Sequence, residues 1–337
     1  MKRMISVLAA LLALCQCGCT SDNEAVTADT SAAASTAVSV IASQAETTEE
    51  AKKAEPYIPS MDYASEMLPE EKKSIETGKL SENHPFYNEV MLKDKGCRDY
   101  ITEISLYDTE IGDTFVVHVQ TPVGYDETES YPMVLMTDGA WRLSDHVELR
   151  GMMNSGSIEK VILVSVGYPD DYDYEAIRER DLVTDAESFM HFITENLVPY
   201  LSSKYSIDIE RSTLTGHSYG GFWTLYALFN RDLIGNCPFG NYYIGSPSLQ
   251  ANTKTRNITW FEEQYELRND SLPCKIYMCA GSKEMTTFTN PIQYLSVNMK
   301  NSTYDGLELT YELIEGESHS TVFKPSIRKA LELFYGK

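Results

Sequence analysis

The pentapeptide Gly216-His217-Ser218-Tyr219-Gly220 constrains this chain more than any other stretch. It has the form G-x-S-x-G, in which a serine occupies a sharp strand-to-helix turn and small flanking residues let backbone pass close by, leaving Oγ in the open. Its surroundings suit that geometry. Ser212 to Thr215 reads as a short strand and Phe222 to Phe229 as an apolar helix ended near Asn230, so Ser218 is a candidate nucleophile. Upstream, Leu182, Ala186, Phe189, Phe192, Ile193, Leu197, Tyr200 and Leu201 recur at helical spacing, which predicts a helix over Asp181 to Lys204 with one face laid on a sheet. A helix leading into a nucleophile strand is an α/β arrangement.

Other runs extend the pattern. Phe115 to Val119 alternates as a strand, Met133 to Thr137 is a buried-type run ending at Asp138-Gly139, and Val161 to Gly167 is another ending at Tyr168-Pro169. Tyr242 to Gly245, Lys275 to Ala280 and Leu309 to Ile314 continue the series, with helical stretches near Pro291 to Met299 and Pro325 to Tyr335. Strands alternating with helices predict an α/β fold whose mostly parallel sheet is covered on both faces and binds ligands at the carboxyl ends of its strands. Cys274 and Cys279 share one strand, where an odd offset points them to opposite faces about 16 Å apart, too far for a disulfide. Core packing is expected of those two; Cys97, Cys237, Cys274 and Cys279 include no C-x-x-C and the histidines are scattered, so no zinc site is expected.

Chain order selects partners for Ser218, because a nucleophile elbow on such a sheet is followed by an acid and then a histidine. His319, in Gly316-Glu317-Ser318-His319-Ser320, is the only histidine after Ser218 and lies just beyond an apparent strand. Glu284 follows the Cys274 to Ala280 strand across Gly281-Ser282-Lys283, which brings its carboxylate to the same sheet edge; Asp305 and Glu315 are the alternatives. In such a constellation the histidine takes the serine proton as Oγ attacks an acyl carbon, the acid fixes the imidazole tautomer, and water hydrolyses the acyl-enzyme. The oxyanion needs donors: the Tyr219 backbone N–H, directly after the nucleophile, and one from the loop Gly139-Ala140-Trp141, for which Ala140 is preferred. Trp141 and Tyr168 are candidate substrate-contacting aromatics.

The amino-terminal end bears on location. Lys2 and Arg3 precede an apolar stretch from Met4 to Leu14, the charged and hydrophobic regions of an export signal rather than a membrane span. Cys15-Gln16-Cys17-Gly18-Cys19 follows and resembles a lipobox, with Cys19 the preferred lipidated residue and Cys15 its rival; a plain cleaved signal with secretion is the alternative. Residues 1–19 are therefore read as a lipoprotein-type leader. Residues 20–55 are Ala, Ser, Thr and acidic residues without an aromatic, a composition too polar to offset its ordering entropy, and read as a solvated tether. Residues 56–84 form an extension of unassigned role, and 85–337 leave about 250 residues for one catalytic domain. With 28 Lys and Arg against 50 Asp and Glu, the formal net charge of −22 disfavours nucleic acid and anionic lipid head groups as partners.

Taken in order, Tyr131-Pro132-Met133 leading to Asp138-Gly139, Gly167-Tyr168-Pro169 followed by Arg180-Asp181-Leu182, Gly216-His217-Ser218-Tyr219-Gly220-Gly221, Ser246-Pro247-Ser248-Leu249 and His319 resemble the putative-esterase group of α/β hydrolases. Enterobactin-type siderophore esterases belong to that group. The resemblance spans about residues 110 to 335 and implies an α/β-hydrolase fold, a Ser218 and His319 pair, and ester hydrolysis without a cofactor. Gln250-Ala251-Asn252 stands where relatives often carry tryptophans, and some siderophore esterases work without a clear acid, so the resemblance does not itself assign Glu284. The expected substrate is an extracellular ester, of a siderophore or of an aromatic acyl group on a glycan. An acyltransferase on the same scaffold and a non-catalytic surface binding lipoprotein are the competing readings.

Overall fold

The structure is a computed structural model that describes residues 75–76, 100–169, 173–235, 237, 239–302 and 304–337. The leader, its Cys19 and the tether lie outside the described residues, as does Cys97. Among the described residues nine strands form one sheet: β1 (Ile75–Glu76), β2 (Ile101–Asp108), β3 (Asp113–Gln120), β4 (Tyr131–Met136), β5 (Ile162–Gly167), β6 (Ile207–His217), β7 (Asn241–Gly245), β8 (Ser271–Gly281) and β9 (Asp305–Ile314). Their order is β1-β2-β3-β5-β4-β6-β7-β8-β9, antiparallel from β1 to β5 and parallel from β5 to β9. The α/β-hydrolase architecture is the one expected. In the 56–84 segment the described pair, β1, is an edge strand against β2.

The helices are α1 (Gly139–Ser155), α2 (Tyr174–Glu179), α3 (Ala186–His191), α4 (Val198–Lys204), α5 (Tyr219–Phe229), α6 (Ile258–Arg268), α7 (Thr286–Asn301) and α8 (Phe323–Tyr335). Strand periodicity of two decides which layer each residue joins. Met133 and Leu135 of β4 enter one core with Phe222 and Leu225 of α5, Phe261 of α6 and Ile292 of α7, whereas Val134 and Met136 enter the other with Leu149 of α1 and Ile327 of α8. Cys274 belongs to the first core and Cys279 to the second, so they do point to opposite faces.

Two expectations needed correction. The helix expected over Asp181 to Lys204 starts at Tyr174 and is broken at Asp185, with π turns at Arg180–Thr184 and Phe192–Leu197. Each π turn adds a residue per turn and re-phases the face behind it, which lets Asp181 turn inward at 1% exposure onto Arg180. Gly139-Ala140-Trp141 is not a loop but the first turn of α1. That helix was hidden because Asp145, His146 and Arg150 are buried along with Leu149, Met152 and Met153, which blurs the apolar period. Buried Glu262 and Gln264 hid α6 in the same way.

The chain leaves β4 for β5 on one side and returns to β6 on the other. Their carboxyl ends therefore border the crevice where strand order reverses, the usual ligand position in an open parallel sheet.

Candidate active site

Ser218 stands between β6 and α5 with φ 61° and ψ −118°, a strained conformation for an L-residue. Its neighbours impose it. A Cβ at Gly216 would overlap the Gly220 carbonyl, and one at Gly220 would overlap the Thr137 hydroxyl, so both glycines of the motif are sterically required. Ser218 N donates to Gly245 O at 3.0 Å, and Ser218 O accepts from Phe222 N and Ser248 N, each at 3.0 Å. Backbone on both sides therefore fixes the turn.

Glu284 and His319 meet at the carboxyl ends of β8 and β9. Glu284 Oε2 lies 2.7 Å from His319 Nδ1, while Oε1 accepts from Ser246 Oγ and Gly281 N, both at 2.6 Å. Burial alone would raise the Glu284 pKa, but the hydrogen bonds from His319, Ser246 and Gly281 outweigh it and hold the carboxyl below its ordinary value. The His319 ring is packed between His217, with centroids 4.7 Å apart, and the edge of Phe288 at 5.1 Å. Burial, with His319, Arg142 and Arg178 nearby, keeps the His217 pKa well below its ordinary value, so its ring is neutral. Asp305 begins β9 opposite Ser271, at the far end of the sheet, and Glu315 is exposed after β9. Among the described residues Ser218 Oγ makes its hydrogen bond to Ser248 Oγ, at 3.3 Å, rather than to His319. Resting hydrolases often hold their catalytic hydrogen bonds loosely in this way.

Tyr219 opens α5, and Gly139 and Ala140 open α1, so their N–H groups have no acceptor within their own helices. The two corners are neighbours: Met136 pairs with Thr215, and Thr137 N donates to Thr215 O at 3.1 Å. Trp141 is 44% exposed and meets Tyr174 edge-on at 4.8 Å. Tyr168 requires correction as a substrate-contacting residue. It is 5% exposed, packed between Phe115 and Tyr174, and reaches Asp181, so it supports Tyr174 from the core.

Four side chains at the site went unread in the sequence. Arg178 Nε donates to Asp138 Oδ1 at 2.5 Å and its Nη2 to Asp138 Oδ2 at 3.2 Å and His217 O at 3.4 Å. Its guanidinium also lies 5.4 Å from the Trp141 ring centre and 5.1 Å from that of Tyr219. No periodicity or order rule flags such an arginine. Ser246, Ser248 and Phe288 touch Glu284, Ser218 and His319 respectively; the Ser-Pro-Ser spelling after a strand was the one available signal for the two serines. Among the described residues no group of three or more His, Cys, Asp and Glu is arranged to hold a metal ion.

Comparison with known proteins identifies the family. A family model described as "Putative esterase" matches residues 109–332. The ferri-bacillibactin esterase BesA of Bacillus subtilis is 24% identical over 248 residues, covering 65% of this chain and 83% of its own. A siderophore triacetylfusarinine C esterase of Aspergillus fumigatus is 24% identical over 274 residues, covering 66% and 89%. The crystal structure of the BES protein from Bacillus cereus superimposes with a TM-score of 0.63 at 25% identity, over 71% of this chain and 95% of that one.

Proposed function

Because the chain belongs to the Putative esterase family and is a carboxylic ester hydrolase, we propose that it cleaves a siderophore ester through an acyl-enzyme on Ser218. The observation that carries this reading is the 2.7 Å pair of His319 Nδ1 and Glu284 Oε2 beside a serine on a strained turn. With Nδ1 engaged by the carboxylate, Nε2 is the nitrogen that takes a proton. Ser218 Oγ leaves Ser248, passes its proton to Nε2 and bonds to the ester carbon, while Glu284 stabilises the imidazolium. Charge developing on the carbonyl oxygen meets the N–H groups of Tyr219 and Ala140, each such donor being worth about 10²–10³ in turnover. His319 then protonates the departing alcohol, and water, deprotonated by the same imidazole, releases the acid.

Arg178 acts in this scheme as a positioning residue, tying the corner that carries Ala140 to the His217 carbonyl of the other corner. The exposed Trp141 ring offers a face to an aromatic acyl group such as a catechol. Location belongs to the same reading: Lys2, Arg3, the apolar Met4 to Leu14 stretch and Gly18-Cys19 support export and lipid anchoring. Mass spectrometry of the mature terminus tests the anchor, and an unmodified terminus downstream of Cys19 overturns it. For the substrate, the ratio of kcat/KM for a dihydroxybenzoyl or feruloyl ester to that for the matched acetyl ester should exceed one. A ratio below one removes the aromatic preference and favours an acetylated glycan.

A further inference from the structure

The turn after β7 touches both ends of the catalytic constellation. β7 stops at Gly245, and Ser246 follows with φ 37°, a left-handed conformation that redirects the chain across the crevice. Ser246 N donates to Cys279 O at 2.8 Å, tying the turn to β8, and Ser248 N donates to Ser218 O at 3.0 Å, tying it to the elbow. Pro247 lies against Gly221, where a Cβ would come within 3.0 Å of the proline Cα. Ser246 and Ser248 are 0% and 3% exposed, so each hydroxyl must find its partner inside the site. Ser246 Oγ donates to Glu284 Oε1, and Ser248 Oγ meets Ser218 Oγ.

We infer that Ser246-Pro247-Ser248 is a bracket that sets the two ends of the triad in opposite senses: Ser246 aims the acid for reaction, and Ser248 holds the nucleophile at rest. The inference builds on the Ser218–His319–Glu284 reading. On the acid side, Oε1 is occupied by the Ser246 hydroxyl and the Gly281 N–H, which turns Oε2 toward His319 Nδ1. Removing the Ser246 donor leaves Oε1 on the Gly281 N–H alone and so loosens the orientation of the carboxylate. On the nucleophile side, the hydrogen bond to Ser248 competes with the one Oγ must make to His319 before attack. A hydrogen bond of ordinary net strength shifts such a rotamer balance by about three- to tenfold.

A fluorophosphonate probe separates the two effects, since it reacts through the same machinery: the Ser218 O–P bond forms, the P–F bond breaks, fluoride leaves and the proton goes to His319. Ser248→Ala keeps the backbone bond to Ser218 O and should raise the second-order rate of phosphonylation about three- to tenfold. An unchanged or slower rate, with the label still on Ser218 by peptide mass spectrometry, overturns the resting-bond assignment. Ser246→Gly suits the positive φ and removes the hydroxyl together with its Cβ. It should lower kcat on an aryl ester about tenfold with KM within about twofold, and its effect should vanish on a Glu284→Gln background. An equal loss on both backgrounds, or none on either, overturns the positioning role. If the label is found away from Ser218 in the unaltered enzyme, it is the triad reading that fails, not the bracket alone.

Discussion

Two strand-to-helix corners stand side by side on this sheet, β4 into α1 and β6 into α5, and they use one backbone device for different ends. Each places a polar L-residue at the helix entrance in the left-handed region, Asp138 at φ 64° and Ser218 at φ 61°. Residues of this kind at an entrance usually fold back to cap the first N–H groups of the helix. Neither does so here. Both side chains leave their helices without a side-chain cap, so the leading N–H groups, Gly139 and Ala140 of α1 and Tyr219 of α5, have no cap from the entrance residue. From that point the corners diverge. Among the described residues the Ser218 side chain hydrogen-bonds only another hydroxyl, whereas both Asp138 oxygens are gripped by Arg178 and its side chain is 2% exposed. In the proposed mechanism one corner presents its side chain for chemistry, and the other buries its side chain so that its backbone can serve.

The sharpest break between the corners is substitution at the first. Ser218→Ala and His319→Ala should each cost about 10⁴–10⁶ in turnover with little change in thermal midpoint, because one member of the unit removes nearly all of its work. Glu284→Gln should follow with a loss of orders of magnitude, while Asp305→Asn and Glu315→Gln stay near wild type in the same assay. The second corner should respond in two quantities at once. Arg178→Met leaves the Asp138 charge buried without its partner, so it should lower turnover about a hundredfold through a misplaced donor and also destabilise the fold by roughly 3–5 kcal/mol. Loss of activity without loss of stability would mean that Arg178 contacts substrate instead.

The smallest effect on activity at neutral pH lies behind the second corner, where α1 carries His146. Burial, with His118 beside it, pushes the His146 pKa down to about 3, and its Nε2 is shared with Ser165 Oγ at 3.1 Å. The unfolded chain binds this proton below about pH 6.5 and the folded chain does not until about pH 3. Stability attached to His146 is therefore fully present above pH 6.5 and is lost on acidification at up to about 1.4 kcal/mol per pH unit. His146→Gln should flatten the acid limb of a denaturant-midpoint profile by that slope. An unchanged limb would locate the sensitivity elsewhere, with buried His217 the next residue to substitute.

How much of this was legible depended on whether a side chain advertises itself locally. Ser218 is spelled out by two glycines that no other residue can replace, and His319 and Glu284 follow from chain order and from loops after apolar strands. The strands β3 to β9 were visible because their alternation or continuous burial is a one-dimensional signal. What escaped reading depends on packing in three dimensions. Arg178 finds Asp138 forty residues away in sequence, and nothing around it marks a site. Tyr168 looked like a pocket wall because it follows a strand, yet Phe115 from β3 closes over it. α1 and α6 bury polar residues whose partners lie on other elements, so their faces read as mixed.

Ser218 is proposed to open siderophore esters, and product analysis by mass spectrometry tests this most directly. Purified enzyme incubated with a trilactone siderophore should yield ring-opened and then shorter acids, one water gained per ester cleaved, and Ser218→Ala should yield none. An intact siderophore alongside ready cleavage of acetylated glycans, or undiminished siderophore cleavage by a folded Ser218→Ala variant, would contradict the account.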